Sequence, residues 1–453
     1  MKATHEQPAG GLLLLDEEKL GSIPLFYCRG KWYGPTAGGF AKYSDGHAAV
    51  LLSEYGISRT IRNTTGTTPA DRALLWLMQN RHVSYAGPLA GYPVGCHEMG
   101  SQRVLVTEAL TLPETWPKAW PKGTPEDWPT IRELVVSLLD DFEHEQADAF
   151  FIWCAASFKE LQARLKGGKV PVGERPFRHC PALAIIGERG CGKSALIDLV
   201  LKPLFGGREA DPLNFLREGK FNADLFPAAL LKLDDKGASA NLEERRQRGD
   251  ALKALIWQEF QRMEGKGLDA VMVAPFWRLV IAANPEDSSL NVLPTLNDSL
   301  RDKLILLRAK PAENLPADDA AKAAWVKAIR AELPAFALWL TKYKPRRGLK
   351  LDARTGVLNL WHPEVAGALL EKQPECKARE VIAELFPMPW EGTATEFYKE
   401  VRQRDGAGHF EGLFASIDKC GRMLTELART VPAGFGKTLK DGVSRYRIGA
   451  AKE

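Results

Sequence analysis

The sequence predicts an α/β protein whose core is a parallel sheet carrying a phosphate-binding loop, flanked by a small N-terminal α+β domain and a C-terminal winged-helix-like domain. Three observations lead there. The apolar run 181–186 ends in Gly187-Glu-Arg-Gly-Cys-Gly-Lys193-Ser194, the full spacing of a phosphate loop set between a strand and a helix. Further apolar runs at 228–233 and 278–283 alternate with helix-like stretches such as 246–262, as parallel strands and their crossover helices do. Helical patterns at 394–402 and 417–430 then close on the strand-like run 442–448, the order of helices and terminal ribbon found in a winged helix.

A chain of 453 residues exceeds one ordinary core, so several domains are expected. The expected division is an N-terminal domain 1–111, a Pro/Trp-rich linker 112–130, a helical collar and nucleotide-binding core 131–340, and a basic linker with the winged-helix-like domain 341–453. With 45% hydrophobic and 26% charged residues the composition is globular. The net charge of +4 is small, so any nucleic-acid contact must come from local clusters. Seven cysteines stand singly, with no Cys-x-x-Cys pair, which fits reduced thiols in the cytoplasm and argues against structural zinc. The apolar run 12–15 is too short for a signal core or a membrane span.

Along the chain, short β-rich pieces at 25–27, 31–33 and 103–106 and a helical stretch at 72–79 define the N-terminal domain. Eight prolines and tryptophans between 113 and 129 resist both helix and strand. Apolar spacing predicts helices over 131–142 and 147–165, then after the strand 304–307 a helix over 318–333 that ends at Pro334 and resumes over 335–340. A basic stretch, 342–350, leads into the last domain.

The phosphate loop asks for each of its residues. Gly187, Gly190 and Gly192 let backbone N–H groups turn toward phosphate oxygens, Lys193 neutralises them, and Ser194 offers a hydroxyl to Mg²⁺, which together predict ATP and Mg²⁺ as cofactors. About forty residues on, the run ending at Leu233 delivers Asp234-Asp235 to a strand tip. There Asp234 would serve Mg²⁺ and Asp235 would orient the attacking water; the same dipeptide also occurs in surface positions, as at Asp140-Asp141. The strand 278–283 ends in Asn284-Pro285, an amide suited to sensing the γ-phosphate, although Asn-Pro also opens turns. Gly434-Phe-Gly-Lys437-Thr438 imitates the motif but has Val431 in place of its first glycine and no strand before it, so it reads as a basic turn or wing.

These elements, in this order, resemble the superfamily 3 helicases, AAA+ motors of small DNA viruses, phages and mobile elements, and more narrowly the helicase portion of phage and plasmid primase–helicase proteins. Tyr85-Ala-Gly-Pro-Leu-Ala-Gly-Tyr92, Phe221-Asn222-x-Asp224-Leu225, Gly265-Lys266-Gly267, Asp302-Lys303-Leu304 and Trp390-x-Gly392-Thr393-Ala394 also resemble segments of such proteins. The resemblance implies an AAA+-type core and an ATP-dependent helicase that forms a ring, a hexamer, and tracks single-stranded and forked DNA during replication. It implies that Lys266 sits on a DNA-contacting hairpin, where Phe276 and Trp277 would either stack on bases or fill the core. It also implies an arginine acting in a neighbouring subunit, with Arg301 favoured over Lys303 because only Arg offers a bidentate fork, and Arg308 as an outside candidate. The first 110 residues carry no paired acidic motif for primer synthesis. Two other readings share the ATP chemistry: a helicase loader or protein remodeller, and an origin-binding initiator acting through 342–350 and the C-terminal domain.

Overall fold

A computed structural model describes residues 16–60, 66–113, 124–139, 145–166, 179–218, 221–237, 242–266, 270–294, 296, 298–313, 315–371, 374–405, 413–432 and 434–449. Residues 114–123 of the expected linker, Asp140-Asp141 and Gly267 lie outside them.

At the N-terminus, α1 (Glu17–Ser22) precedes the antiparallel strands β1 (Phe26–Cys28), β2 (Lys31–Thr36) and β3 (Gly39–Tyr43), covered by α2 (Asp45–Glu54) and α3 (Pro69–Asn80). Thr68 and Asp71 close a reciprocal capping box at the start of α3, satisfying N–H groups the helix cannot pair itself. Leu25, Trp32, Leu52 and Leu77 form the local core. A second sheet follows, β4 (Tyr85–Gly87), β5 (Gly95–Met99) and β6 (Gln102–Val106), ordered β4-β6-β5. Its apolar face does not close on the first unit alone. Leu89, Tyr92, Val104 and Val106 join the core of the central sheet, and the Tyr92 hydroxyl donates to the Ala274 carbonyl at 2.9 Å.

The centre of the molecule is a five-stranded parallel sheet. It is approached by α4 (Pro129–Leu139) and α5 (Gln146–Leu165). In chain order come β7 (Ala182–Gly187) and then α6 (Lys193–Ala195), which continues through π-helical turns Leu196–Leu201 into α7 (Lys202–Leu204). Next are β8 (Glu209–Ala210), α8 (Leu213–Glu218), β9 (Leu230–Asp234) and α9 (Leu242–Trp257). The hairpin β10 (Gln261–Met263) and β11 (Val271–Val273) leads to β12 (Arg278–Ala283), α10 (Asp287–Leu290) and β13 (Leu304–Ala309). The sheet order is β13-β7-β12-β9-β8. β7 and β12 are buried at every position, which is why their sequences run continuously apolar rather than alternating.

Trp128, within the Pro/Trp-rich stretch, is 1% exposed and its ring meets Phe151, Phe336 and Trp339 at centroid distances of 5.7, 4.9 and 4.8 Å. The last two belong to α11 (Asp319–Lys342). The helix expected to end at Pro334 instead runs through it. A mid-helix proline costs about 3 kcal/mol, but Ile329, Leu333, Phe336 and Leu340 are buried on both sides of it, each worth about 1.5–3 kcal/mol. Burial outweighs the local break. Glu332 of the same helix also caps α4, accepting from the Thr130 N–H at 3.2 Å, the Thr130 hydroxyl at 2.6 Å and the Ile131 N–H at 3.0 Å.

After α12 (Pro363–Glu371) the chain builds a separate core from α13 (Pro374–Leu385), β14 (Trp390–Thr393), α14 (Ala394–Arg404), α15 (Ile417–Thr430), β15 (Phe435–Lys440) and β16 (Val443–Ile448). The three strands are antiparallel in the order β14-β16-β15. Phe397, Phe414, Leu424 and Leu427 pack beneath them. Among the described residues no helix is long and apolar enough to cross a membrane, and none of the seven cysteines is in a disulfide.

Gly187 shows how tightly the sheet is closed beside the loop. A Cβ there would lie 2.5 Å from the Ala309 carbonyl oxygen and 2.8 Å from its Cβ, atoms of the neighbouring strand that cannot swing away. Gly187→Ala is therefore expected to cost about 1–3 kcal/mol, read as a lowered thermal unfolding midpoint. Gly38→Ala, where nothing lies within 4 Å, is the control and should leave the midpoint unchanged.

Candidate functional site

Parallel pairing puts the C-terminal ends of β7, β9 and β12 side by side: Ile186 is opposite Ala283, and Ala282 is opposite Asp234. The residues that follow each strand are thereby gathered at one edge, where ligands of open α/β sheets bind. From β7 comes the glycine loop, with Gly190 at φ +81° and Gly192 at φ +117°, backbone conformations that a side chain strongly disfavours. Its end is the start of α6, where Lys193 is buried and Ser194 exposed.

The Lys193 ammonium donates to the carbonyls of Gly187 at 2.5 Å and Glu188 at 2.9 Å, and to Asn284 Oδ1 at 3.2 Å. Asn284, directly after β12, turns its Nδ2 to Asp235 Oδ2 at 3.1 Å. Ser289 in α10 donates its hydroxyl to the same oxygen at 3.3 Å. Lysine, amide and carboxylate from three strand ends thus form one line of hydrogen bonds. The side chain of Asp234, one residue earlier, makes no hydrogen bond or ion pair among the described residues. Its neighbour Lys232 is engaged with Asp198 at 2.9 Å. Partial burial raises the Asp234 carboxyl above its ordinary value, with the Lys232 charge opposing. Among the described residues no cluster of three or more His, Cys, Asp or Glu side chains could hold a metal by itself. Ser194 and Asp234 offer Mg²⁺ a hydroxyl and a carboxylate, the sparse protein ligation this ion takes when phosphates and waters complete its shell.

Lys266 is exposed in the connection between β10 and β11. Asn222 braces this hairpin from outside: its Nδ2 donates to the Arg262 carbonyl at 3.0 Å, its Oδ1 accepts from the Glu264 N–H at 2.8 Å, and its own N–H donates to the Glu264 carbonyl at 2.9 Å. Phe276 and Trp277 are core residues, with the Trp277 Nε1 donating to the Leu255 carbonyl at 2.9 Å.

Arg301, Lys303 and Arg308 divide by position. Leu304 pairs with Ala182 and Ala309 with Gly187, so Arg301 and Lys303 stand at the opposite end of β13 from the glycine loop, roughly 17–20 Å away along a six-residue strand. Arg301 is exposed, lies over the Trp361 ring at 4.6 Å, and has no carboxylate partner among the described residues. Lys303 is tied to Asp302 at 2.7 Å and lies over Trp257 at 4.8 Å. Arg308 is near the loop end of the sheet and paired with Glu364 at 2.9 Å.

The structure adds residues that sequence reasoning missed. Besides Ser289, Arg245 and Arg248 of α9 are 5% and 1% exposed. They reach the backbone after α10: Arg245 Nε donates to the Leu293 carbonyl at 3.3 Å, and Arg248 Nη1 to those of Asn291 and Val292 at 3.3 and 3.2 Å. Within Leu242-Glu-Glu-Arg-Arg-Gln-Arg248 they look like members of a solvated charged face, and nothing in the spacing separates them from it.

Residues 185–298 match the model of a family described as a family of unknown function, DUF5906. That span holds Gly187, Lys193, Asp234, Asp235, Lys266 and Asn284 but stops short of Arg301. No curated protein matches the chain. Among solved structures, an apo structure of the NrS-1 C-terminal region is similar over 94% of this chain and 96% of that one, at 16% identity and a TM-score of 0.52. An A-form apo structure of the same region is similar over the same shares, at 16% identity and a TM-score of 0.50. At that identity the likeness is one of fold.

The raised Asp234 carboxyl carries a stability consequence. The unfolded chain ionises this group at its ordinary value and the folded chain only at higher pH, so its ionisation lowers stability as pH rises through that window, and the cost persists at neutral pH. Asp234→Asn should therefore raise the thermal midpoint at pH 7. The advantage should vanish below about pH 4, where the native carboxyl is protonated in both states.

Proposed function

We propose that this chain is an ATP-dependent DNA helicase motor with an AAA+-type core, working as a ring on single-stranded and forked DNA in phage or mobile-element replication. The observation that carries the reading is the hydrogen-bonded line Lys193–Asn284–Asp235 at the loop end of the parallel sheet, with Asp234 beside it. In this arrangement the N–H groups from Gly187 to Ser194 hold the phosphates, and Lys193 exchanges its carbonyl contacts for β/γ-phosphate oxygens. Ser194 and Asp234 would hold Mg²⁺, which would supply neutralisation of the phosphate charge. Asn284 releases Lys193 and takes up the γ-phosphate, which leaves Asp235 aligned by Ser289 to orient the attacking water.

Two features support a motor over a simple ATP switch. Lys266 stands on a braced hairpin whose second strand ends four residues before β12, so a charge that grips a DNA phosphate is close in the chain to the strand that leads into Asn284. Arg301 lies at the end of the sheet remote from its own loop, a position that suits an arginine acting on the loop of a neighbouring copy. A site completed in this way requires a homo-oligomer, and a hexameric ring satisfies it.

Lys193→Ala should abolish ATP turnover. Asp235→Asn should still bind ATP while turnover falls on the order of 10²-fold or more. Lys266→Ala should keep basal turnover and lose its stimulation by single-stranded DNA together with strand displacement on a fork. Turnover at the native rate in the first two variants would overturn the site. Unchanged DNA stimulation and displacement in the third would overturn the motor.

A further inference from the structure

The segment from the end of α11 onward, Lys342-Tyr-Lys-Pro-Arg-Arg-Gly-Leu-Lys350, carries five cations and no acid, and neither the ATP site nor the Lys266 hairpin uses it. It is pinned to the body of the protein. Tyr343, Leu349 and Leu351 pack against the core, and the Tyr343 carbonyl accepts from the Lys159 ammonium at 2.8 Å. Arg346 reaches the start of α5, to Glu145 at 2.7 Å and Asp148 at 3.0 Å, so the segment is fastened to that helix at two points. Its other cations are left outside. Lys344 is exposed between the half-buried Tyr343 and Pro345, and Lys350 is exposed between the half-buried Leu349 and Leu351, so both point away from the core. Gly348, at φ +96°, turns the chain between them, and Arg347 is exposed at that turn. None of Lys344, Arg347 and Lys350 forms an ion pair among the described residues. The next acid in the chain, Asp352, is occupied by the N–H groups of Arg354 and Thr355, each at 2.9 Å.

We propose that this segment is a phosphate track for nucleic acid, in which Lys344, Arg347 and Lys350 take backbone phosphates and no base is read. Three uncompensated cations on a segment already anchored to the core form a preset positive edge. A polyanion that binds there releases its counterions, and little chain has to be ordered to receive it. A membrane surface would need apolar side chains beside the cations to enter it, whereas here the apolar neighbours face the core. Lysine and arginine on phosphates fix position and carry no sequence information, so the track suits strands of any sequence. Phosphate is common to single strands and duplexes, and the test below separates them. The inference shares with the motor reading a nucleic-acid partner, but it depends neither on ATP hydrolysis nor on Lys266.

The test uses the full chain without nucleotide and fluorescence anisotropy on two DNAs of equal length, a single strand and a duplex. Lys344→Gln, Arg347→Gln and Lys350→Gln combined should weaken binding about 10–100-fold near 0.1 M salt, with a log–log salt dependence shallower by about 2 on the single strand or about 3 on the duplex. Whichever DNA shows that change is the ligand of the track. The thermal midpoint should stay at its native value, since all three side chains are exposed. Lys19→Gln, Lys31→Gln and Lys42→Gln combined remove the same charge from exposed positions of the N-terminal unit, and should leave the affinity within about twofold. Native protein that binds neither DNA, a track variant with native affinity and salt slope on both, or an equal loss in the N-terminal control would each overturn the track. So would a loss confined to phosphatidylserine vesicles. Lys266→Ala keeps the two readings apart: loss of DNA-stimulated ATP turnover in that variant, with native DNA binding by the track variant, would sink the track and leave the motor standing.

Discussion

Asn284 is the joint on which the site turns. Its side-chain oxygen holds the Lys193 ammonium and its amide nitrogen holds the Asp235 carboxylate, so one short side chain spans the ends of three parallel strands. That span is possible only because β12 lies between β7 and β9, in a register that sets Ala282 beside Asp234 and Ala283 beside Ile186. A one-residue slip of either pairing would turn these side chains to the other face of the sheet. The tight packing of Gly187 on Ala309 and the fully buried β7 and β12 hold that register.

From this joint, bonded contacts lead outward to the hairpin. Asp235 is held by Ser289 of α10, the backbone after α10 is held by Arg245 and Arg248 of α9, and α9 runs into β10. In the proposed motor this is the path by which a phosphate gripped at Lys266 could bias the carboxylate that orients water. Buried arginines that bond only carbonyls are costly to hold, and Arg248 keeps Nε and Nη2 buried without partners. Such a cost is the kind that a mechanical link, rather than stability, would justify.

Much of this was readable from the residues because the strands are buried on both faces and appear as unbroken apolar runs. The loop, the two aspartates and Asn284 were each visible at the end of such a run. Other features depend on contacts distant in sequence. Pro334 looks like a helix end, and only the burial of Leu333 and Phe336 beside it explains why α11 continues. Trp128 sits in a composition typical of linkers, yet it fills a pocket formed by residues some two hundred positions later. Arg245 and Arg248 are indistinguishable in sequence from surface charges, since their partners are backbone carbonyls that carry no residue signature. The ion pairs of Lys303 with Asp302 and of Arg308 with Glu364 also depend on the fold and carry no signal in the spacing of these residues.

In the proposed motor, Lys193 of one copy and Arg301 of another complete a single DNA-responsive ATP site. The most direct measurement is ATP turnover, with single-stranded DNA present, of a Lys193→Ala chain, an Arg301→Ala chain, and an equimolar mixture allowed to exchange subunits. Each variant alone should be inactive and the mixture should regain turnover, because the first variant lends its Arg301 to the intact loop of the second. A mixture as inactive as its parts despite exchange, or an Arg301→Ala chain that turns over ATP at the native rate, would contradict it.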